Sequence, residues 1–148
     1  MEKEKKIAFA ADHAGFELKE NIIRFLKEEG YTMLEDFGTN SSESTDYADY
    51  VHPLAEAVAD HRFDFGIVVC GSGNGVNITA NKHDGIRSAL CWEREIAELA
   101  RAHNNANVCA LPARFITEEQ AREIVYAFLH TAFEGGRHER RIEKIEHF

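Results

Sequence analysis

Apolar residues along this chain follow two rhythms that alternate. In the first, a short run is apolar at nearly every position: Ile7 to Ala11, Phe65 to Cys70 and Val108 to Leu111. Such runs, closed by polar or turn-forming residues, mark strands buried on both faces. Tyr31 to Phe37 and Ile86 to Leu90 read as two further strands with a less regular pattern. In the second rhythm, apolar residues recur at helical spacing. Leu18, Ile22, Phe25 and Leu26 do so among Lys and Glu, and Gly30 is placed to end that helix as its C′ residue. Val51, Leu54, Ala55 and Val58 give a helix over Asp49 to Asp60, with Pro53 expected in its first turn. A short helix is expected over Val76 to Asn81, with Gly85 ending it, and another over Trp92 to Ala102. Thr117-Glu118-Glu119-Gln120 has the form of a capping box and starts a helix that runs to about Thr131. Gly135-Gly136 separates this from a last charged helix, Arg137 to Phe148.

Regular alternation of strand and helix implies a parallel sheet covered by helices on both faces. No repeat, low-complexity tract or linker divides the chain. The expectation is a single domain over residues 1–148: an α/β, doubly wound, five-stranded parallel sheet with right-handed crossovers and a C-terminal helix.

In an open parallel sheet, ligands bind at the carboxyl ends of the strands. Candidate chemistry collects there. The central strand runs directly into Cys70-Gly71-Ser72-Gly73-Asn74-Gly75, a thiol followed by alternating glycines. Successive amide N–H groups in such a turn can form an anion-binding nest, and they favour a nearby thiolate. The spacing does not fit a dinucleotide fingerprint, and the Gly-Lys-Ser/Thr of a P-loop is absent. Residues 71 to 81 contain no arginine to close a cysteine-phosphatase loop. Cys91 and Cys109 read instead as small buried hydrophobes.

Asp12-His13 ends the first strand on the same edge as Cys70, and a plain helix-capping turn is its structural alternative. His103-Asn104 is placed after the fourth helix, where terminators are common, but histidine is also the side chain suited to moving protons near neutral pH. Arg137 and Arg141 are four apart and share a helix face, so they suit the oxygens of a phosphate. With Glu139 and Glu143 the same helix could instead carry only weak surface ion pairs. The loop from Gly38 to Tyr47 has no assigned role, although Asp46-Tyr47 is placed to help line a site.

Composition narrows the partners. The 148 residues are 44% hydrophobic and carry a formal charge of −9, which argues against general nucleic-acid binding but not against one local phosphate. No apolar run approaches a membrane span, and no signal-peptide core is expected near the start. Three cysteines without a Cys-x-x-Cys pair suggest reduced thiols and a cytoplasmic setting.

Five motifs, taken together, carry a resemblance. Ala11-Asp12-His13-Ala14-Gly15, Cys70 to Gly75, Ala80-Asn81-Lys82, Ala102-His103-Asn104-Asn105-Ala106-Asn107 and Glu134-Gly135-Gly136-Arg137-His138 resemble the ribose-5-phosphate isomerase B family. The galactose-6-phosphate isomerase subunits belong to the same superfamily. The resemblance implies a Rossmann-like domain, a homodimer or dimer of dimers with active sites shared between chains, and no metal or cofactor. It implies an aldose–ketose isomerase of carbohydrate metabolism that interconverts ribose 5-phosphate and ribulose 5-phosphate. Cys70 then matches the base that moves a proton between C1 and C2, and His103 the acid that opens the furanose ring. Gly71, Ser72, Gly73, Asn74 and Gly75 match the loop that holds the enediolate oxygen. Asp12, His13 and Asn104 match sugar- and phosphate-contacting positions, and Arg114, Arg137 and Arg141 match positive residues around the phosphate. Some members of the family use a glutamate just after the glycine loop; here that position is Val76, so the sequence is similar to the cysteine type. The alternatives are an isomerase of a hexose 6-phosphate, allose or galactose, and a non-catalytic phosphosugar-binding protein.

Overall fold

The structure, a computed structural model, describes residues 2–148. Five strands form one sheet: β1 (Ile7–Ala11), β2 (Leu34–Asp36), β3 (Phe65–Cys70), β4 (Ser88–Leu90) and β5 (Val108–Pro112). Their spatial order is β2-β1-β3-β5-β4, and every pairing is parallel. Six helices accompany them: α1 (Phe16–Glu28), α2 (Ala48–Ala59), α3 (Asn74–Ala80), α4 (Arg94–Asn104), α5 (Glu118–His130) and α6 (Arg137–Glu146).

The period-two geometry of the strands divides the core. Ile7, Phe9, Ile67, Val69 and Leu111 face α1, α4 and α5, whereas Ala8, Ala10, Val68, Cys70 and Ala110 face α2 and α3. Connections that step toward β2 cross on the first of these faces, and those that step toward β4 cross on the second. A single crossover hand requires this arrangement. Beyond β1 the chain turns toward β2, and beyond β3 toward β4. The crevice between the ends of β1 and β3 is therefore a topological switch point.

The apolar runs of β1, β3 and β5 fall where the sequence pattern puts them. The two partly exposed strands at the edges are shorter: β2 spans three of the seven residues expected, and β4 three of five. The helix ends also differ. Gly73, at φ +77°, caps α3, so Asn74 and Gly75 are already helical and not part of the preceding loop. Helix α4 runs past Ala102 to Asn104, where Asn105 takes a left-handed conformation at φ +48°, so His103 and Asn104 lie in its last turn. Pro53 is the sixth residue of α2, not part of its first turn, because the helix opens at Ala48. The capping box at Thr117 forms reciprocally with Gln120. Gly30, at φ +99°, ends α1 in a Schellman pattern: the Tyr31 N–H donates to the Leu26 carbonyl and the Gly30 N–H to that of Lys27.

Lys19 of α1 is a fully buried cation whose Nζ lies 2.6 Å from Asp36 Oδ2 and 2.8 Å from Glu20 Oε1. The other Asp36 oxygen accepts the Gly38 N–H at 2.9 Å, so the pair also fixes the start of the 38–47 loop. Asp36→Ala is expected to lower stability by about 3 kcal/mol, because it leaves a buried charge short of a partner. Chemical denaturation checks this; a loss below about 1 kcal/mol would mean that Glu20 alone satisfies Lys19.

Candidate active site

Two clefts hold the candidate residues. The first lies at the switch point, has a volume of about 460 Å³, and is lined by Asp12, His13, Ala14, Tyr47, Cys70, Gly71, Ser72, Gly75, Arg114 and Phe115. Cys70, the last residue of β3, is 5% exposed, so its thiol sits at the boundary between core and cleft. Asp12 follows β1 and is also buried; its Oδ1 accepts the Gly15 N–H at 3.0 Å and shapes the turn into α1. Gly15 must be glycine, because a Cβ there would lie 2.5 Å from the Val69 carbonyl oxygen. The close approach brings the Asp12-His13 turn against the end of β3.

His13 has a fixed tautomer when neutral. Its Nδ1 accepts the Thr45 N–H at 3.2 Å, so Nε2 carries the proton and can donate. The loop that supplies Thr45 is the one to which the sequence assigned no role. Its end supplies Tyr47, whose ring packs so closely on Gly75 that a Cβ there would lie 2.4 Å from it. The Ser72 hydroxyl accepts the Asn74 N–H at 3.2 Å, which closes the glycine turn onto α3. Arg114 follows β5; its N–H donates to the Gly71 carbonyl at 3.0 Å and its side chain lies over Gly71.

The second cleft, of about 580 Å³, is lined by His103, Asn104, Arg137, His138, Arg141 and Ile145. It lies between the end of α4 and the start of α6. Arg101 holds the end of α4 in place: its Nη1 donates to the Ala106 carbonyl at 2.6 Å, and its guanidinium stands 4.9 Å from the Phe65 ring centre. Burial, with the charge of Arg87 adding to it, holds the Arg101 guanidinium below its ordinary value. Arg87 donates to the Asn104 and Asn105 carbonyls and pairs with Glu146, so the end of α4 is also tied to α6. His103 and His138 stack, with ring centres 4.3 Å apart and planes 14° apart. Arg137 and Arg141 take part in none of the ion pairs among the described residues. With the N-terminus of a ten-residue helix beside them, they give this cleft a positive character that suits an anion.

The predicted residues therefore separate into two groups within one chain. Asp12, His13, Cys70, Gly71, Ser72, Gly75 and Arg114 share the first cleft; His103, Asn104, Arg137 and Arg141 share the second, and no residue lines both. Gly73 and Asn74 line neither, but shape the turn. Ala14, Phe115, His138 and Ile145 line the clefts without having been expected to. His138 had a signal, since it stands inside the Gly-Gly-Arg-His motif; the isolated Phe115 had none. Cys109 is buried beside Cys91, and the Cys91 thiol together with burial pushes the Cys109 thiol up. That keeps it protonated and inert, as a core residue should be.

The class that the fold defines is an α/β protein whose strand ends gather a thiol, a histidine donor and a glycine turn at a switch point, with two arginines in a second cleft. Comparison with known proteins makes the class specific. The profile of the Ribose/Galactose Isomerase family matches residues 7–145. Ribose-5-phosphate isomerase B of Escherichia coli is 48% identical over 95% of this chain and 94% of its own length. D-erythrulose-4-phosphate isomerase of Pectobacterium atrosepticum is 41% identical over 96% of this chain and 93% of its own. The crystal structure of a ribose 5-phosphate isomerase from Thermotoga maritima superposes with a TM-score of 0.94 at 51% identity, covering 97% of this chain and 99% of that one. The Mycoplasma genitalium ribose-5-phosphate isomerase B, solved with bound ribulose-5-phosphate, gives 0.90 at 42% identity, over 95% and 93% of the two chains. The chain belongs to the Ribose/Galactose Isomerase family. Its fold is the Rossmann-like fold of the ribose-5-phosphate isomerase B structures.

Proposed function

We propose that this chain is a ribose-5-phosphate isomerase that interconverts D-ribose 5-phosphate and D-ribulose 5-phosphate, with Cys70 as the carbon base and His103 as the ring-opening acid and base. The observation that carries this reading is the position of Cys70. Its nearly buried thiol ends β3 in a cleft that also holds His13, Ser72 and the glycine turn. The chemistry follows from what isomerisation demands. His103 takes the proton of the anomeric hydroxyl on its free lone pair as the ring C–O bond breaks, and returns a proton to the ring oxygen, which frees the aldehyde. The Cys70 thiolate then removes the proton from C2, and the electron pair left behind moves onto the carbonyl oxygen as an enediolate. Amides of Gly71 to Gly75, with Ser72, donate to that oxygen. The thiol returns its proton to C1 while the hydroxyl proton on O2 passes to O1, giving the ketose. Asp12, His13 and Asn104 hold the sugar; Arg114, Arg137 and Arg141 hold the phosphate. Binding energy from that remote group keeps C1 and C2 against the sulfur.

In this reading each complete site takes one cleft from each of two chains in a homodimer. The support is that all the proposed groups are present, yet they lie in clefts with no common lining residue. A symmetric pair would bring the phosphate cleft of one copy to the thiol cleft of the other. Three free cysteines suit a reducing compartment, so the proposed setting is the cytoplasm. No described helix is long and apolar enough to cross a membrane.

The test is ketose formation in excess EDTA from ribose 5-phosphate, erythrose 4-phosphate, allose 6-phosphate and galactose 6-phosphate. Ribose 5-phosphate is expected to turn over best. The four-carbon sugar is included because the relative from Pectobacterium is named for one. Preferred turnover of another sugar would move the assignment within the family, and turnover of none would leave a phosphosugar-binding protein. Arg137→Ala is expected to raise KM for the preferred sugar by about 10-fold or more, as loss of a charge-assisted phosphate contact should. An unchanged KM would remove Arg137 from the phosphate site.

A further inference from the structure

We infer that Glu134 is a positioning residue for His103: its carboxylate sets which nitrogen of that imidazole carries the proton and which way the ring faces. The inference rests on the role proposed for His103 and goes beyond it, since nothing in that role requires Glu134. Glu134 is joined to the end of α4 twice. Its backbone N–H donates to the Ala102 carbonyl at 3.0 Å, one residue before His103. Its Oε1 lies 3.8 Å from His103 Nε2 and 3.4 Å from His138 Nε2. Both rings thus turn the same nitrogen toward one carboxylate oxygen.

A carboxylate only accepts hydrogen bonds, so the nitrogens nearest it carry hydrogen. A neutral His103 held in this way has its proton on Nε2 and its lone pair on Nδ1. The ring is held from the side as well. His138 is 6% exposed and stacks on His103, so a largely immobile imidazole backs a half-exposed one. The resting separations are longer than a good hydrogen bond, and contacts of this kind often shorten only in the substrate complex. The charged and titratable groups that surround His103 are Glu134, His138, Arg137 and Arg141. Among these described residues Glu134 is the one acid, and its carboxylate pairs with the two imidazoles.

The same three ligand atoms lie within 4.8 Å of one another, a spacing that a metal ion could use. One feature favours proton sharing over metal binding. Arg137 and Arg141 line the same cleft and oppose a cation.

The experiment compares Glu134→Ala and Glu134→Gln with the unaltered full-length protein. The Glu134 side chain is 59% exposed, so neither change should unfold the chain. Imidazole ¹⁵N spectra of the resting protein, with His103 assigned from the spectrum of His103→Ala, are expected to show the Nε2–H form of His103 and its loss in Glu134→Ala. In ribose 5-phosphate turnover, Glu134→Ala should lower kcat by about 10-fold and move KM less than about twofold. Glu134→Gln keeps an accepting oxygen and should restore both the tautomer and most of kcat. An unchanged His103 tautomer in Glu134→Ala would overturn the inference, whatever the activity. So would a raised KM with kcat intact, the mark of an acid that merely seats Arg137. Stoichiometric zinc bound to unaltered protein and required for turnover would overturn it too. If His103→Ala keeps full kcat, the ring-opening role of His103 falls, while the spectra still decide whether Glu134 holds its tautomer.

Discussion

Cys70→Ala is expected to lower isomerisation by about 10³-fold or more while phosphosugar binding survives, because it removes the proposed carbon base and leaves the anion-binding groups in place. The separation of effects follows from where the groups sit. Cys70 ends β3 in the same buried cluster as Ala10, Val68 and Ala110, so alanine leaves a cavity of one sulfur atom and no broken ion pair. Arg137 and Arg141, which should carry most of the affinity, are in the other cleft and are untouched. Val76, which follows the glycine turn, is buried and has no titratable group to stand in for the thiol. Cys91 and Cys109 face the opposite side of the sheet. Binding measured by calorimetry with ribulose 5-phosphate should change less than about threefold, or about 0.7 kcal/mol. Turnover within about 10-fold of the unaltered protein would remove Cys70 as the base, and Asp12, buried in the same cleft, would be the next group to examine.

Much of this architecture was legible because the sheet is buried on both sides. In β1, β3 and β5 nearly every residue must be apolar, and such runs have sharp ends. At the edges the rule weakens. Leu34–Asp36 is half solvated and carries two acids, so its hydrophobic pattern does not distinguish strand from loop. Helix starts were readable where side-chain chemistry marks them, as at Thr117. They were not readable at Asn74 or Ala48, where a left-handed glycine and an uncapped turn begin the helix. The site behaves in the same way. Motif residues at strand ends were identifiable, because strand parity and the switch-point rule put them on one edge. Tyr47 against Gly75, Thr45 on His13 and Glu134 between two histidines are contacts between distant segments, and a single sequence holds no record of which distant segments meet.

Two inactive variants are expected to restore activity when mixed. Cys70→Ala lacks the base of the first cleft, and His103→Ala lacks the acid of the second. If each working site takes one cleft from each chain, a mixed dimer places both lesions in one site and leaves the other site intact. Random pairing makes about half of the dimers mixed, and each has one good site of two, so about a quarter of full activity should return. The geometry motivates this directly: the lining of the two clefts has no residue in common, and isomerisation as proposed needs both. If instead one chain carried a whole site, both lesions would stay in separate defective sites and mixing would restore nothing. The pairing Cys70→Ala with Ser72→Ala is the internal control. Both residues line the first cleft, so every site in the mixture carries a lesion and no recovery should follow. Subunit exchange must be verified, by mass-tagged chains appearing together in one particle. Exchange without recovery would overturn the shared site, and would require one chain to close its own two clefts onto a single sugar phosphate.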